Sequence, residues 1–222
     1  IEVHTNEKHI KYIREDNDSI ITLNTIENDI QVAQQRLIKT VLSVDMSDLN
    51  EQKRQGVLAT DIVLVFPIDD QNNAQPIENC ETFAFLPIRS FGFNFYIQAD
   101  FILASSREAI HEELEWNMRL RDQISNAFIK SIQIFKENNE LSKTYFNFIP
   151  LAEKVYDPFF SKVVDQIFDS LNNEDCIPTL DGSWETPDKV ILLDGAFMEL
   201  FHSEEARQLF KADYLRKDVE LP

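Results

Sequence analysis

The residues whose types and spacing could do chemistry stand together at Ser105-Ser106-Arg107-Glu108, ahead of a long run with helical periodicity. Ser105 and Glu108 have capping-box spacing, in which the serine hydroxyl accepts from the backbone N–H three residues on and the glutamate returns the bond. That places a guanidinium in a first helical turn, where unpaired N–H groups gather partial positive charge and carboxylates belong. Arg107 then either bends away into solvent or waits for an anion, a phosphate above all.

Other chemistry is sparse. The four histidines, His4, His9, His111 and His202, are scattered. His111-Glu112 begins like a zinc-protease helix, but position 115 is Glu where the second histidine would stand, so no metal site is read. No Gly-x-Ser-x-Gly elbow is present, and with four glycines the chain has no phosphate-cradling loop of its own. Glu113 and Asn117 share the spacing by which ATPases of the gyrase, chaperone and histidine-kinase class hold a base and a magnesium ligand. No Asp-x-Gly-x-Gly segment follows, so Glu113 and Asn117 read as structural, and Trp116-Asn117 as packing and capping groups. The chain by itself shows no complete active site.

Composition bounds the rest. At 222 residues, 43% hydrophobic and with 17 phenylalanines, the chain can fill a bulky core. Its 21 Lys+Arg against 39 Asp+Glu give a net charge of −18, which repels a nucleic-acid backbone or an anionic membrane. Cys80 and Cys176 lie far apart in unrelated contexts, which suits buried thiols in a reducing compartment, so the cytoplasm is expected, with the nucleus as the other setting. No apolar run approaches a membrane span and no signal-peptide pattern opens the chain. The first residue is Ile1 and not Met, so the chain is expected to be a piece of a longer polypeptide.

The elements around Arg107 follow from periodicity. Two short strands are predicted at 9–14 and 19–23, parted by the turn-forming Glu-Asp-Asn-Asp. Ile30, Ala33, Leu37, Ile38 and Val41 recur at helical spacing and predict an amphipathic helix ending near Leu42. Residues 61–67 predict a central buried strand, 69–80 a solvated hairpin loop, 83–88 its partner strand, and 93–103 a third extended segment. Behind Ser105, the positions Ile110, Leu114, Asn117, Leu120, Ile124, Ala127, Phe128, Ser131, Ile132 and Phe135 mark one face of a long helix ending near Asn138. Asp157-Pro158 predicts a capped helix with the stripe Phe160, Val163, Val164, Ile167, Phe168 and Leu171. A hairpin about Asp181-Gly182, a strand from Lys189, a short helix from Ser203 to Phe210 and a ragged end from Asp213 complete the chain. The fold class is α+β: an antiparallel or mixed sheet covered by a long amphipathic helix, residues 1–150, followed by a small helix-hairpin sub-domain, 151–222.

The block FAFLPIRSFGFNFYIQADFILASSREAIHEELEWN, residues 83–117, resembles the segment after the ATP-binding module in sacsin-type proteins, relatives of heat shock protein 90 in the GHKL ATPase superfamily. Ile177-Pro-Thr-Leu-Asp-Gly-Ser-Trp184 resembles another recurrent piece of those proteins. The resemblance implies a transducer-like middle domain of a chaperone-like ATPase, with Arg107 reaching the γ-phosphate of ATP and Ser105, Ser106 and Glu108 forming the turn that presents it. It further implies ATP and Mg held by an upstream nucleotide-binding module of the same polypeptide, protein clients, and a homodimer. The alternatives are a non-catalytic interaction module working through Phe91, Phe93, Phe95 and Tyr96, and an accessory domain of a nuclease or restriction-type assembly, which the net charge disfavours as a DNA-contacting part.

Overall fold

A computed structural model describes residues 1–4, 9–106, 109–192 and 203–219. Its strands are β1 (Glu2–His4), β2 (His9–Asn17), β3 (Ile20–Glu27), β4 (Ile30–Asp45), β5 (Ala59–Ile68), β6 (Glu81–Ala84), β7 (Leu86–Ser90) and β8 (Tyr96–Gln98). They form one eight-stranded sheet in the order β1-β2-β3-β4-β5-β8-β6-β7. All neighbours are antiparallel except β6 and β8, which run parallel with Thr82 opposite Ile97. The α+β class is therefore observed, with a mostly antiparallel sheet.

The helices are α1 (Glu115–Glu137), α2 (Leu141–Thr144), α3 (Pro158–Leu171) and α4 (Ser203–Phe210). α1 lies on β4 and β5 and packs against α3. Its buried residues run Trp116, Asn117, Leu120, Ile124, Ser125, Ala127, Phe128, Ser131, Ile132 and Phe135, the face read from spacing. Asp157 caps α3, its carboxylate accepting from the N–H groups of Phe159 and Phe160. The predicted apolar stripe is buried except at Phe168, which is 45% exposed.

The helix predicted to end near Leu42 is instead the sixteen-residue strand β4. β4 pairs with β3 along one side and with β5 along the other, from Arg36 opposite Ile68 to Asp45 opposite Ala59. The governing pattern has period two: Ile38, Thr40, Val44 and Met46 are buried and Leu42 packs against the same core. β3 pairs with its first part, Ile30 to Ile38, and β5 with its second, Arg36 to Asp45, so that the strand bridges the two, and its β-branched Ile, Val and Thr side chains suit that setting better than a helix.

The single strand predicted at 83–88 is split in two at Phe85, and the neighbour of β5 is β8 rather than this segment. Residues 91–101 do alternate, with Phe91, Phe93, Phe95, Ile97, Ala99 and Phe101 buried, although only Tyr96–Gln98 joins the ladder. Gly92 permits this entry: its φ is +95°, and a Cβ there would lie 1.9 Å from the Lys154 carbonyl oxygen.

Phe160 of α3 meets Phe91, Phe93 and Phe101 at ring-centroid distances of 4.4, 5.8 and 5.9 Å. Residues before and after 150 thus share one apolar core. Beyond α3 come β9 (Ile177–Pro178), β10 (Trp184–Glu185), β11 (Val190–Ile191) and β12 (Asp213–Tyr214). The β9–β10 hairpin matches the prediction. The end predicted to be ragged is tied down: β12 pairs in parallel with β11, and Tyr214 is 2% exposed.

Candidate functional site

The long helix begins at Glu115, about ten residues later than the capping box implies, with Leu114 as N-cap and no side-chain cap bond. The described residues before it, 102–106 and 109–114, lie outside any helix. The Ala104 N–H donates to the Ala109 carbonyl at 2.8 Å, and Leu103 bridges Ile110 in antiparallel sense. Ser105 and Ser106 therefore sit exposed in a turn and do not start a helix. A serine hydroxyl can cap only a helix that follows it directly, and here a closed loop intervenes. Arg107 and Glu108 lie outside the described residues.

The base of this loop is held by Asn117, which is fully buried in the first turns of α1. Its side-chain oxygen accepts from the Ile102 N–H at 2.8 Å, while its amide donates to the carbonyls of Ile102 at 2.8 Å and His111 at 2.9 Å. Trp116 donates from its indole N–H to the Asp100 carbonyl at 2.8 Å. Trp116 and Asn117, expected from the sequence to be packing and capping groups, are both buried, but neither caps α1, whose N-cap is Leu114; Asn117 ties down the backbone of Ile102 and His111 instead. Asp100 also receives both arms of Arg54 at 2.6 Å each, so the loop root is clamped from the 52–54 turn as well.

Beside the loop stands the tip of the β6–β7 hairpin. Phe85 occupies it with φ 63°, a left-handed conformation that a bulky L-residue adopts only under constraint. Gln98 supplies part of that constraint, its side-chain oxygen accepting from the Phe85 N–H at 2.9 Å. The ring is 77% exposed and Leu86 beside it 58%. Between hairpin and loop lies a cleft of about 470 Å³ whose walls include Phe85, Leu86, Phe101, Leu103, Ser105 and Arg54. Nothing in the sequence marks Phe85, since glycine or asparagine usually signals such a turn.

Phe91, Phe93 and Phe95 are at most 7% exposed, so they cannot form the aromatic surface expected of an interaction module working through them. Cys80 and Cys176 are free and buried, and burial pushes both thiols up to about 11. Between about pH 8.5, where an unfolded thiol ionises, and about 11, the unfolded chain sheds protons that the folded chain keeps. Stability should therefore fall as pH rises through that window, and a Cys80→Ala/Cys176→Ala variant should show a flatter fall in urea titrations at successive pH values. A variant curve parallel to the wild type would remove the thiols as the cause.

Among the described residues no helix is long and apolar enough to cross a membrane. No family model matches the chain, and no solved structure matches it. The chain is similar to Protein NO VEIN of Arabidopsis thaliana, 32% identical over an alignment of 151 residues covering 62% of this chain. It spans only 6% of that relative's length. This corrects the assignment suggested by residues 83–117. The curated match is NO VEIN, not a sacsin-type or heat-shock-protein-90-like chaperone, and the GHKL ATPase and chaperone labels go with that assignment. A short block of aromatics around Ser-Arg-Glu carries too little information to fix a family. What stands is a likeness, over part of this chain, to a small part of NO VEIN.

Proposed function

We propose that this chain is a non-catalytic docking module of a larger polypeptide, and that its working face is the β6–β7 tip with the 102–111 loop. Phe85 carries the reading. Its backbone conformation costs roughly 1–2 kcal/mol, and an exposed ring gains little burial to offset it. A side chain that stabilises neither its backbone nor the core is kept for something outside the fold. Leu86 and the adjoining cleft extend the apolar surface, and the clamped loop root holds the opposite wall in place. The partner is another module of the same polypeptide. Arg107 lies outside the described residues, and its part here, pairing with an anion on the partner, rests on its sequence position between Ser106 and Ala109 alone.

The test uses the full-length parent with a photo-crosslinking phenylalanine analogue at position 85, alongside Phe85→Gly and Arg107→Ala. Crosslinks should map to another module of the chain. Phe85→Gly should match or exceed wild-type thermal stability, because glycine adopts positive φ without strain, yet lose the inter-module contact. Arg107→Ala should retain the contact and weaken its dependence on salt. Absence of crosslinks, or an unfolded Phe85→Gly protein, would overturn the reading.

A further inference from the structure

At the opposite edge of the sheet, the pairing of β1 with β2 sets His4 directly opposite His9, with Glu2 opposite Lys11. Read along the chain these residues are unrelated, but across an antiparallel pair facing side chains are near neighbours. The two imidazoles stack with centroids 4.2 Å apart and planes within 8°. One Glu2 carboxylate oxygen lies 3.9 Å from His4 Nε2 and 3.8 Å from His9 Nε2. All three ligand atoms fall within 4.8 Å of one another. The other Glu2 oxygen is 3.2 Å from the Lys11 ammonium, which fixes the carboxylate and leaves its free oxygen turned to the imidazoles. His9 Nε2 is screened from solvent yet has no hydrogen-bond partner among the described residues, an acceptor or donor position that β1 and β2 do not satisfy.

We propose that Glu2, His4 and His9 form a binding site for a divalent first-row transition ion, zinc before the others, that ties β1 to β2. Two imidazole nitrogens and one carboxylate oxygen are a borderline donor set suited to zinc and poorly suited to calcium or magnesium. Bonds of about 2.0–2.1 Å in a tetrahedron place ligand atoms roughly 3.3 Å apart. Binding closes the 3.8 and 3.9 Å spacings to that value and requires the stacked rings to swing apart about their χ angles, because in parallel planes their in-plane lone pairs do not converge. The fourth position stays open to water. Because the ligands are side chains on neighbouring strands, the ion acts as a cross-link at a sheet edge rather than as part of the β6–β7 face, and the site is independent of the docking reading.

The experiment is a titration of the untagged chain with Zn²⁺, followed by calorimetry, and with Co²⁺, followed by its visible absorption. One equivalent should bind, with the intense bands of a four-coordinate cobalt site. His4→Ala and His9→Ala should each weaken Zn²⁺ binding at least tenfold, since even the loss of an outer partner of a ligand costs about 10–100-fold. His111→Ala should leave binding unchanged. Zinc should also slow amide exchange of Val3 and Ile10 in the wild type, and not in His9→Ala. No saturable binding, or equal binding by wild type and His9→Ala, would overturn the site and leave a stacked histidine pair beside an ordinary Glu–Lys contact. The β1–β2 edge lies away from the α1 core, so circular dichroism of the variants should match the wild type and exclude misfolding as the cause.

Discussion

Replacing Phe66 by alanine should lower the unfolding free energy by about 3–5 kcal/mol, the cost of emptying a phenylalanine site in a packed core. Phe66 is fully buried in β5, the strand at the middle of the sheet. Its ring lies 5.1 Å from Phe95, 6.0 Å from Phe128, 5.0 Å from Phe135 and 5.1 Å from Phe148, three of these in edge-to-face arrangement. Those four rings come from the extended 91–101 segment, from α1 and from the turn after α2, so one truncation loosens every layer at once. None of the four can swing into the space, because each is held by other aromatic neighbours. Urea unfolding should show a lower midpoint with an unchanged slope, and Phe66→Leu a smaller loss. Tyr12→Ala, at a side chain 48% exposed on β2, should stay within about 0.5 kcal/mol. A Phe66→Ala protein as stable as the wild type would show that this cluster does not hold the layers together.

Asn117→Leu should cost about 2–4 kcal/mol, from three hydrogen bonds lost at a buried site that leucine fills without replacing them. The Ile102 N–H and the carbonyls of Ile102 and His111 would be left facing an apolar side chain. The loss should have a local signature: amides at Ala104 and His111, which bond within the loop base, should exchange faster relative to those of α1. Asn117→Asp should be no remedy near neutral pH, because a carboxylate keeps the Ile102 N–H but confronts two carbonyl oxygens with no donor. Protonation restores one donor, so that variant should gain stability as pH falls, opposite to the usual carboxylate trend. Exchange at Ala104 and His111 unaffected in Asn117→Leu would mean the loop is fixed by other contacts.

The helices were legible because their signals are local. Asp157-Pro158 sets the start of α3 whatever surrounds it, and the stripe from Asn117 to Phe135 admits one period. β4 was not legible, because Ile30, Ala33, Leu37, Ile38 and Val41 fit a helix by chance while Ile38, Thr40, Leu42, Val44 and Met46 fit a strand. Only the presence of β3 and β5 on either side decides between them, and that is tertiary information. Ser105 and Glu108 satisfied a capping rule whose helix starts elsewhere; the polar loop to Leu114 was long enough to close on itself first. Phe85 gave no warning because its turn is imposed by the Gln98 contact and the strands around it, and the nearness of His4 to His9 exists only in the register of β1 on β2.

β4 is longer than the core it serves. Its burial begins at Leu37, and α1 reaches it through Lys130 and Arg119, which donate to the carbonyls of Val41 and Asp45, but Ile30 to Gln34 are exposed and pair only with β3, so this end of the β3–β4 hairpin stands clear of the core. The hairpin closes on Asn28 and Asp29, at φ 49° and 66°, the primed turn that matches the twist of the strands, and Asn28 is tied to His9 of β2, its N–H donating to the His9 carbonyl and its side-chain oxygen accepting from the His9 N–H. A fluorophore or peptide tag spliced between those two residues would ride at the far end of a stiff arm, reporting rotation of the whole domain while leaving its interior unaltered.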